Sequence, residues 1–139
     1  MPALDPIRGL RVVADPAALD AARWTAVGGD PGPVATDIDR ITVLRFAPDD
    51  AFALGATAVD VDDEHAIVED EPGFVGGWWS LGDLRRHLEW TPPGARPVLC
   101  QGLVAGVPAK LWLPDEDDAL LLTAVAFADV LSERFGWRR

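Results

Sequence analysis

Several residue types are scarce or missing in this chain, and the scarcity of cysteine and histidine argues against disulfides and zinc sites. The 139 residues contain no tyrosine, no asparagine, one cysteine, two histidines and one lysine. A single cysteine cannot form an internal disulfide, and the chain shows no Cys/His spacing of the kind that binds zinc. Cys100 itself lies in an apolar run, which predicts a buried and unreactive thiol.

Long apolar runs are missing as well. No apolar stretch reaches the ~18 residues that a membrane span requires, and the first residues have neither the basic nor the apolar region of a secretory signal. We therefore expect a cytoplasmic protein without a membrane partner. The net charge of −11 argues against nucleic acid as a partner, because binding to phosphate needs a basic face.

Acidic residues concentrate in the middle of the chain. Between Arg45 and Arg85 the sequence carries ten carboxylates and neither lysine nor arginine. Two explanations stay open: an acidic surface that has a function, or the codon bias of a GC-rich genome. The carboxylates near His65 do not follow the ligand order of a calcium loop, so we expect no metal site between Asp60 and Glu71.

Helix signals occur at three places. Asp15 as N-cap and Pro16 at the first helical position predict a helix of about nine residues that ends near Trp24. Ser80, followed three residues later by Asp83, forms a capping box that predicts a helix over 81–89. An apolar stripe closed by a glycine predicts a third helix over 125–135.

Strand signals come as hairpins. Residues 41–46 and 51–54 are rich in strand formers and flank a polar turn, and 65–68 is a further short candidate. A meander is predicted from residues 97–104, a turn at Gly106, a strand that ends at Trp112, and residues 119–123. A long helix from Asp118 is the alternative for the last strand. These patterns predict one α+β domain over residues 1–139, with a mostly antiparallel sheet of hairpins and two or three helices packed on one face.

Two segments stand out as candidate binding elements. Residues 71–80 combine glycines with two adjacent tryptophans, and glycine lets the backbone approach a ligand, a partner or a neighbouring strand closely. Residues 101–110 contain two glycines and the only lysine, without the spacing of a dinucleotide or phosphate loop. We find no nucleophile and base in a recognisable motif, and we expect no cofactor and a function other than catalysis.

Two hypotheses follow for the function. The first is a small domain that binds protein, as a homo-oligomer or as an accessory subunit, because exposed aromatic side chains are typical anchors of interfaces. The alternative is a small-molecule-binding protein or enzyme with a pocket between residues 74–79 and 101–110. Both hypotheses use the same candidate interface or pocket residues: Phe74, Trp78, Trp79, Gln101 and Lys110.

Two stretches carry a resemblance to a known group of proteins. Residues 43–50, Val-Leu-Arg-Phe-Ala-Pro-Asp-Asp, and the stretch from Lys110-Leu111-Trp112 through a turn to Ala126-Phe127-Ala128 resemble segments of the sarcosine oxidase gamma subunit and glycine-cleavage T-protein group. The resemblance implies a non-catalytic subunit or a folate-binding relative. It assigns no role to an individual residue.

Overall fold

The computed structural model of this chain describes residues 4–25 and 41–136. The chain divides into two compact units: unit 1 draws on Met1–Ile7 and Gly73–Arg139, and unit 2 on Arg8–Pro72. The single domain over residues 1–139 stays a prediction beside this division. No helix in the described ranges has the length and apolar character needed to cross a membrane.

Short strands make up most of the regular structure. In chain order, the strands are β1 (Asp5–Ile7), β2 (Gly9–Val13), β3 (Arg23–Thr25), β4 (Val43–Ala47), β5 (Asp50–Leu54), β6 (Ala58–Asp60), β7 (Ile67–Asp70), β8 (Phe74–Ser80), β9 (Val98–Val104), β10 (Val107–Leu113) and β11 (Asp118–Ala124). The α-helices are α1 (Pro16–Asp20), α2 (Leu81–Arg85) and α3 (Ala128–Phe135), and a 3₁₀ helix covers Val125–Phe127.

Unit 1 is built around a five-stranded antiparallel sheet in the order β1-β8-β11-β10-β9. Side chains of a strand alternate between the two faces of a sheet. On one face Trp79, Leu111 and Leu121 enter an apolar core that also holds Leu84 of α2 and Leu131 of α3. The strands β9, β10 and β11 form the predicted meander, so the strand interpretation of the last segment is confirmed over the helical one.

Unit 2 contains a four-stranded antiparallel sheet, β4-β5-β2-β7, and the two-stranded pair β3-β6. One buried cluster of unit 2 consists of small and medium side chains: Leu10, Val12, Ala14, Leu19, Ala51, Ala53 and Ala56. Arg11 of β2 forms ion pairs with Asp50 and with Glu71, and its guanidinium carbon lies 4.8 Å from the centroid of the Phe46 ring. The hydrogen bond to Asp50, more than any other contact, raises the pKa of Arg11.

The coarse α+β prediction is confirmed, because antiparallel sheets are combined with a few helices. The strands within residues 4–25 and 41–136 belong to three sheets rather than to one. The packing of the helices on one common face stays a prediction.

Two of the predicted helices are shorter than the sequence indicates. The first ends at Asp20, and residues 23–25 are a strand that pairs with β6, so tertiary pairing overrides the helical spacing that led to Trp24. The second begins at Leu81, with Ser80 Oγ accepting a hydrogen bond from the Asp83 N–H at 3.2 Å, as predicted. It ends at Arg85 rather than at residue 89, because the residues after it turn to contact β9.

Candidate functional site

An open concavity of about 580 Å³ lies on the sheet of unit 1. Leu111 and Leu121, the strand neighbours of Lys110 and Leu122, point into the core. Because side chains of a strand alternate between the two faces, Lys110 and Leu122 belong to the face opposite the core. The walls are mostly apolar and include Phe74 of β8 and further side chains: Leu103, Pro108, Leu122, Ala124 and Phe127. Gln101, Lys110 and Thr123 are the polar side chains of the described lining.

The concavity forms where β10 and β11 stop pairing. Their paired residues run from Trp112 opposite Leu120 to Lys110 opposite Leu122 and go no further toward the start of β10. Pro108 lies two residues beyond Lys110 on that side, and proline has no N–H to donate to a ladder. Thr123 Oγ1 donates instead to the Pro108 carbonyl at 2.8 Å. The side-chain hydrogen bond thus takes the place of a ladder bond, and the gap between the strands becomes part of the concavity.

The hairpin of β9 and β10 positions the two polar residues that the sequence singled out. Ala105 and Gly106 have φ angles of 49° and 78°, which is the left-handed geometry of a two-residue type I′ turn. This turn sets the register in which Lys110 lies directly opposite Gln101. Their side chains therefore share a face, and Lys110 Nζ donates to Gln101 Oε1 at 2.9 Å.

Electrostatically, the described lining of the concavity contains one charged side chain, that of Lys110. The ammonium group of Lys110 donates a hydrogen bond to the neutral amide of Gln101, and this bond orients it. The aliphatic stem of the lysine lies on the same face as Leu122, an arrangement typical of a lysine that covers apolar surface with its stem.

The side chains of the two adjacent tryptophans lie on opposite faces of the sheet, because neighbouring residues of a strand point to opposite faces. Trp79 is 3% exposed and belongs to the core of unit 1, with its ring 4.7 Å from that of Phe135. Trp78 is 50% exposed, and neither tryptophan lines the concavity. Of the five candidate residues, the structure therefore brings Phe74, Gln101 and Lys110 together at one site.

Sequence reasoning missed four contributors to this site: Leu122, Thr123, Ala124 and Phe127. The first three lie in the strand whose assignment was open between strand and helix, so their face was not defined by the sequence. Phe127 lies in the 3₁₀ turn that precedes α3, where a helical stripe does not predict the direction of a side chain. Pro108 was the available signal, because a proline inside a predicted strand marks a place where a ladder is interrupted.

His87 lies outside the concavity in a cluster of aromatic rings. Its imidazole centroid is 4.6 Å from that of Phe135 and 6.3 Å from that of Trp79. Burial, and secondarily the charge of Arg86, lowers the pKa of His87. The thiol of Cys100 is half-buried, and burial raises the pKa of Cys100, which is the state expected of an unreactive cysteine.

In the acidic segment between Asp60 and Glu71, one carboxylate accepts hydrogen bonds from backbone N–H groups. Asp63 accepts hydrogen bonds from the backbone N–H groups of Asp15 and His65, at 2.8 and 2.9 Å, and these bonds lower the pKa of Asp63. In the described part of the chain, no group of three or more His, Cys, Asp and Glu side chains converges as metal ligands.

Comparisons with protein-family models, curated proteins and solved structures found no match to this chain. The resemblance to the sarcosine oxidase gamma subunit and T-protein group therefore stays a prediction.

Proposed function

We propose that this protein binds a small apolar molecule in the concavity of unit 1. The observation that carries this proposal is an apolar hollow of about 580 Å³ with a few polar groups at defined positions. Small-molecule sites typically measure ~300–1,000 Å³ and have this combination of apolar walls and sparse polar groups. The proposal develops the alternative hypothesis, a pocket between residues 74–79 and 101–110.

Binding, rather than catalysis, is the function that the lining supports. The Thr123 hydroxyl donates to the Pro108 carbonyl, and the Lys110 ammonium donates to an amide. A nucleophile needs a neighbouring base to remove its proton, and neither arrangement supplies one. Cytoplasmic location and the exclusion of nucleic acid as a partner remain part of the proposal.

The test uses N-phenyl-1-naphthylamine, an uncharged fluorophore whose emission rises in apolar surroundings. We expect saturable binding to the wild type. Ala124→Trp places an indole into the concavity, and we expect it to weaken probe binding by about tenfold or more. Ala17→Trp adds the same indole to the exposed surface of α1 and should leave binding unchanged. A wild type that does not bind the probe, or an Ala124→Trp variant that binds it as tightly, contradicts the proposal.

A second candidate function is protein association through Trp78, as the first hypothesis predicts. The observation in its favour is the 50% exposure of this large aromatic side chain on β8. Aromatic residues of this kind carry much of the binding energy at interfaces.

Light scattering at micromolar concentration tests this association. We expect an oligomer that Trp78→Asp dissociates, because the substitution places a charge in a desolvated contact. Ile67→Asp, at an exposed apolar position of unit 2, is the matched control and should leave the mass unchanged. A monomeric wild type, or an oligomer indifferent to Trp78→Asp, contradicts a role of Trp78 in association.

A further inference from the structure

The strand β9 forms one edge of the unit 1 sheet, and it differs from the other edge strands of the two larger sheets. Charged side chains, prolines, bulges and short length commonly keep sheet edges from pairing with another chain. The edge strands β1 and β7 have only three and four residues, with Pro6 in β1 and two acidic residues in β7. The edge strand β4 contains Arg45 and a register shift. In contrast, β9 has seven uncharged residues, contains no proline and keeps an unbroken register with β10.

The type I′ turn determines which backbone groups of β9 point to this edge. In such a hairpin the two residues that flank the turn exchange hydrogen bonds, and every second pair along the ladder does the same. Leu99, Gln101 and Leu103 therefore direct their N–H and C=O groups away from β10. The Leu103 carbonyl agrees with this assignment, because it accepts a hydrogen bond from Trp90 Nε1 at 2.8 Å.

The chain itself closes one end of this edge. Leu88 bridges Val104 there, and the Trp90 indole bonds the carbonyl next to it. Residues 91–97 lead back to the start of β9 without forming a strand. In the ranges 4–25 and 41–136, no strand pairs with β9 at Leu99 and Gln101. The outward backbone groups of these two residues therefore form a short ladder that is open to another strand.

We propose that a second copy of this chain pairs with β9 in antiparallel orientation, about a two-fold axis at Cys100. In this register Leu99 lies opposite the partner's Gln101, and Gln101 lies opposite the partner's Leu99. Each of these pairs exchanges both of its backbone hydrogen bonds. A two-fold interface uses the same patch on both chains, and this ladder is complementary to itself in that way.

The neighbouring registers are unfavourable. An axis one residue later would place Leu99 opposite the partner's Leu103, whose carbonyl is already bonded at the closed end of the edge. An axis one residue earlier would place Gln101 opposite the partner's Pro97, which has no N–H to donate. The axis at Cys100 is therefore the register in which both outward residues are fully paired.

This pairing also extends the concavity of unit 1. Gln101 belongs to the described lining of the concavity. Directly opposite residues of an antiparallel pair lie on the same face of the sheet, with their Cβ atoms roughly 5 Å apart. The partner's Leu99 would therefore lie beside Gln101 and add apolar surface next to the site. The pairing itself needs no ligand, so it does not depend on the proposed function.

Light scattering at micromolar concentration tests the pairing. Gln101→Pro removes an N–H of the proposed contact and no bond of the β9–β10 ladder, because this N–H points away from β10. We expect a dimeric wild type, and we expect Gln101→Pro to weaken the dimer by about tenfold or more. Gln101→Ala removes the same side chain but keeps the N–H, so it should remain dimeric. A monomeric wild type, or a dimer as tight in Gln101→Pro, overturns the inference.

A second readout uses the fact that Cys100 is the only cysteine. Residues of a non-hydrogen-bonded pair have Cα atoms about 4.5 Å apart, within the ~4.4–6.8 Å that a disulfide spans. Mild oxidation with copper phenanthroline should therefore link the two copies through Cys100. In a Cys100→Ser background, Gln101→Cys places a more exposed thiol opposite the partner's Leu99, and it should link far more slowly. Linkage as fast as that of the wild type would overturn the register.

The β9 contact is distinguishable from association through Trp78, because Trp78 lies on β8, three strands away in the sheet. Trp78→Asp should leave the β9 dimer in place, and the combination of Trp78→Asp with Gln101→Pro should be a monomer. If Trp78→Asp alone gives a monomer, the pairing of β9 is overturned and association through Trp78 stands.

Discussion

Units 1 and 2 both bury an apolar core with antiparallel strands, but the surface hollows of the two units differ in the charged residues that line them. The concavity of unit 1 has mostly apolar walls, and Lys110 is the charged side chain of its described lining. A hollow of about 220 Å³ in unit 2 is lined by charged residues of both signs, Arg8, Asp70 and Glu71 among them. The two hollows therefore differ in the charges carried by their described linings. Net charge alone does not reveal this difference.

The two units also differ in how their strands meet solvent. All four residues of β7, at one edge of the unit 2 sheet, are exposed, and two of them are acidic. Charged residues on a short edge strand oppose pairing with another chain. In unit 1 the edge strand β9 is covered at its end by Trp90, whose Nε1 donates to the Leu103 carbonyl at 2.8 Å. The concavity of the proposed function lies on the sheet of unit 1, which contains this edge strand, protected at that end.

The largest expected effect tests the core of unit 1 through the adjacent tryptophans. Trp79→Ala removes a buried indole and should lower the free energy of unfolding by about 3–5 kcal/mol. Trp78→Ala, one residue away on the exposed face, should cost less than about 1 kcal/mol. Urea melts of the two variants measure the difference. Equal losses would contradict the assignment of the two side chains to opposite faces.

A second pair of substitutions compares close backbone contacts in the two units. A Cβ added at Gly76 would overlap the Leu121 carbonyl oxygen in unit 1, and one added at Gly9 would overlap the Ala53 carbonyl oxygen in unit 2. Both Gly→Ala variants should therefore be destabilised, by about 3 kcal/mol where the neighbouring strand cannot move. Gly82 has open space around it, so Gly82→Ala is the matched control and should be neutral or stabilised. A normal denaturation midpoint for Gly76→Ala would show that β8 and β11 can separate without cost.

The sequence predicted the elements whose signals are local. The Ser80 cap, the Gly106 turn and the Gly136 helix stop all occur, because each depends on a few neighbouring residues. Residues 23–25 were predicted wrongly, since their strand exists only through pairing with β6, which is distant in the chain. The glycines before Trp78 were correctly associated with close backbone approach, and the structure identifies the neighbour at Gly76 as a strand.

The site was predictable in part for the same reason. Gln101 and Lys110 lie on the two arms of one hairpin, so a turn at Gly106 already places them opposite each other. Phe74 joins them only through β11, whose assignment the sequence left open. The concavity itself depends on the loss of pairing beyond Lys110 and on the position of Phe127. Both are consequences of tertiary packing.

A smaller effect is expected at the start of α2. Ser80→Ala removes the side-chain acceptor of the Asp83 N–H and should lower the free energy of unfolding by about 1 kcal/mol. Ser80→Thr keeps a hydroxyl in the same place and should recover most of this loss. Chemical denaturation of both variants measures the cap, and an unchanged Ser80→Ala would show that the helix start is stabilised by packing alone.

The smallest expected effect is a pH dependence of folding stability that differs between the two units. The pKa of His87 in unit 1 is lowered from 6.5 by burial, so the unfolded chain binds a proton at a higher pH than the folded chain does. Stability should therefore fall as the pH drops from about 7 through 6.5 toward the folded-state pKa of His87, and level off below it. The pKa of Asp63 in unit 2 is also lowered from its ordinary value of 3.8. The contribution of Asp63 to folding stability is therefore present above pH 3.8, and it is lost as the pH falls through the lower folded-state pKa. Denaturation midpoints measured from pH 8 to pH 3 should show that His87→Gln flattens the upper part of the curve, and Asp63→Asn the lower part. A slope near pH 6 that survives His87→Gln would mean that the aromatic cluster around this imidazole does not disfavour its charge.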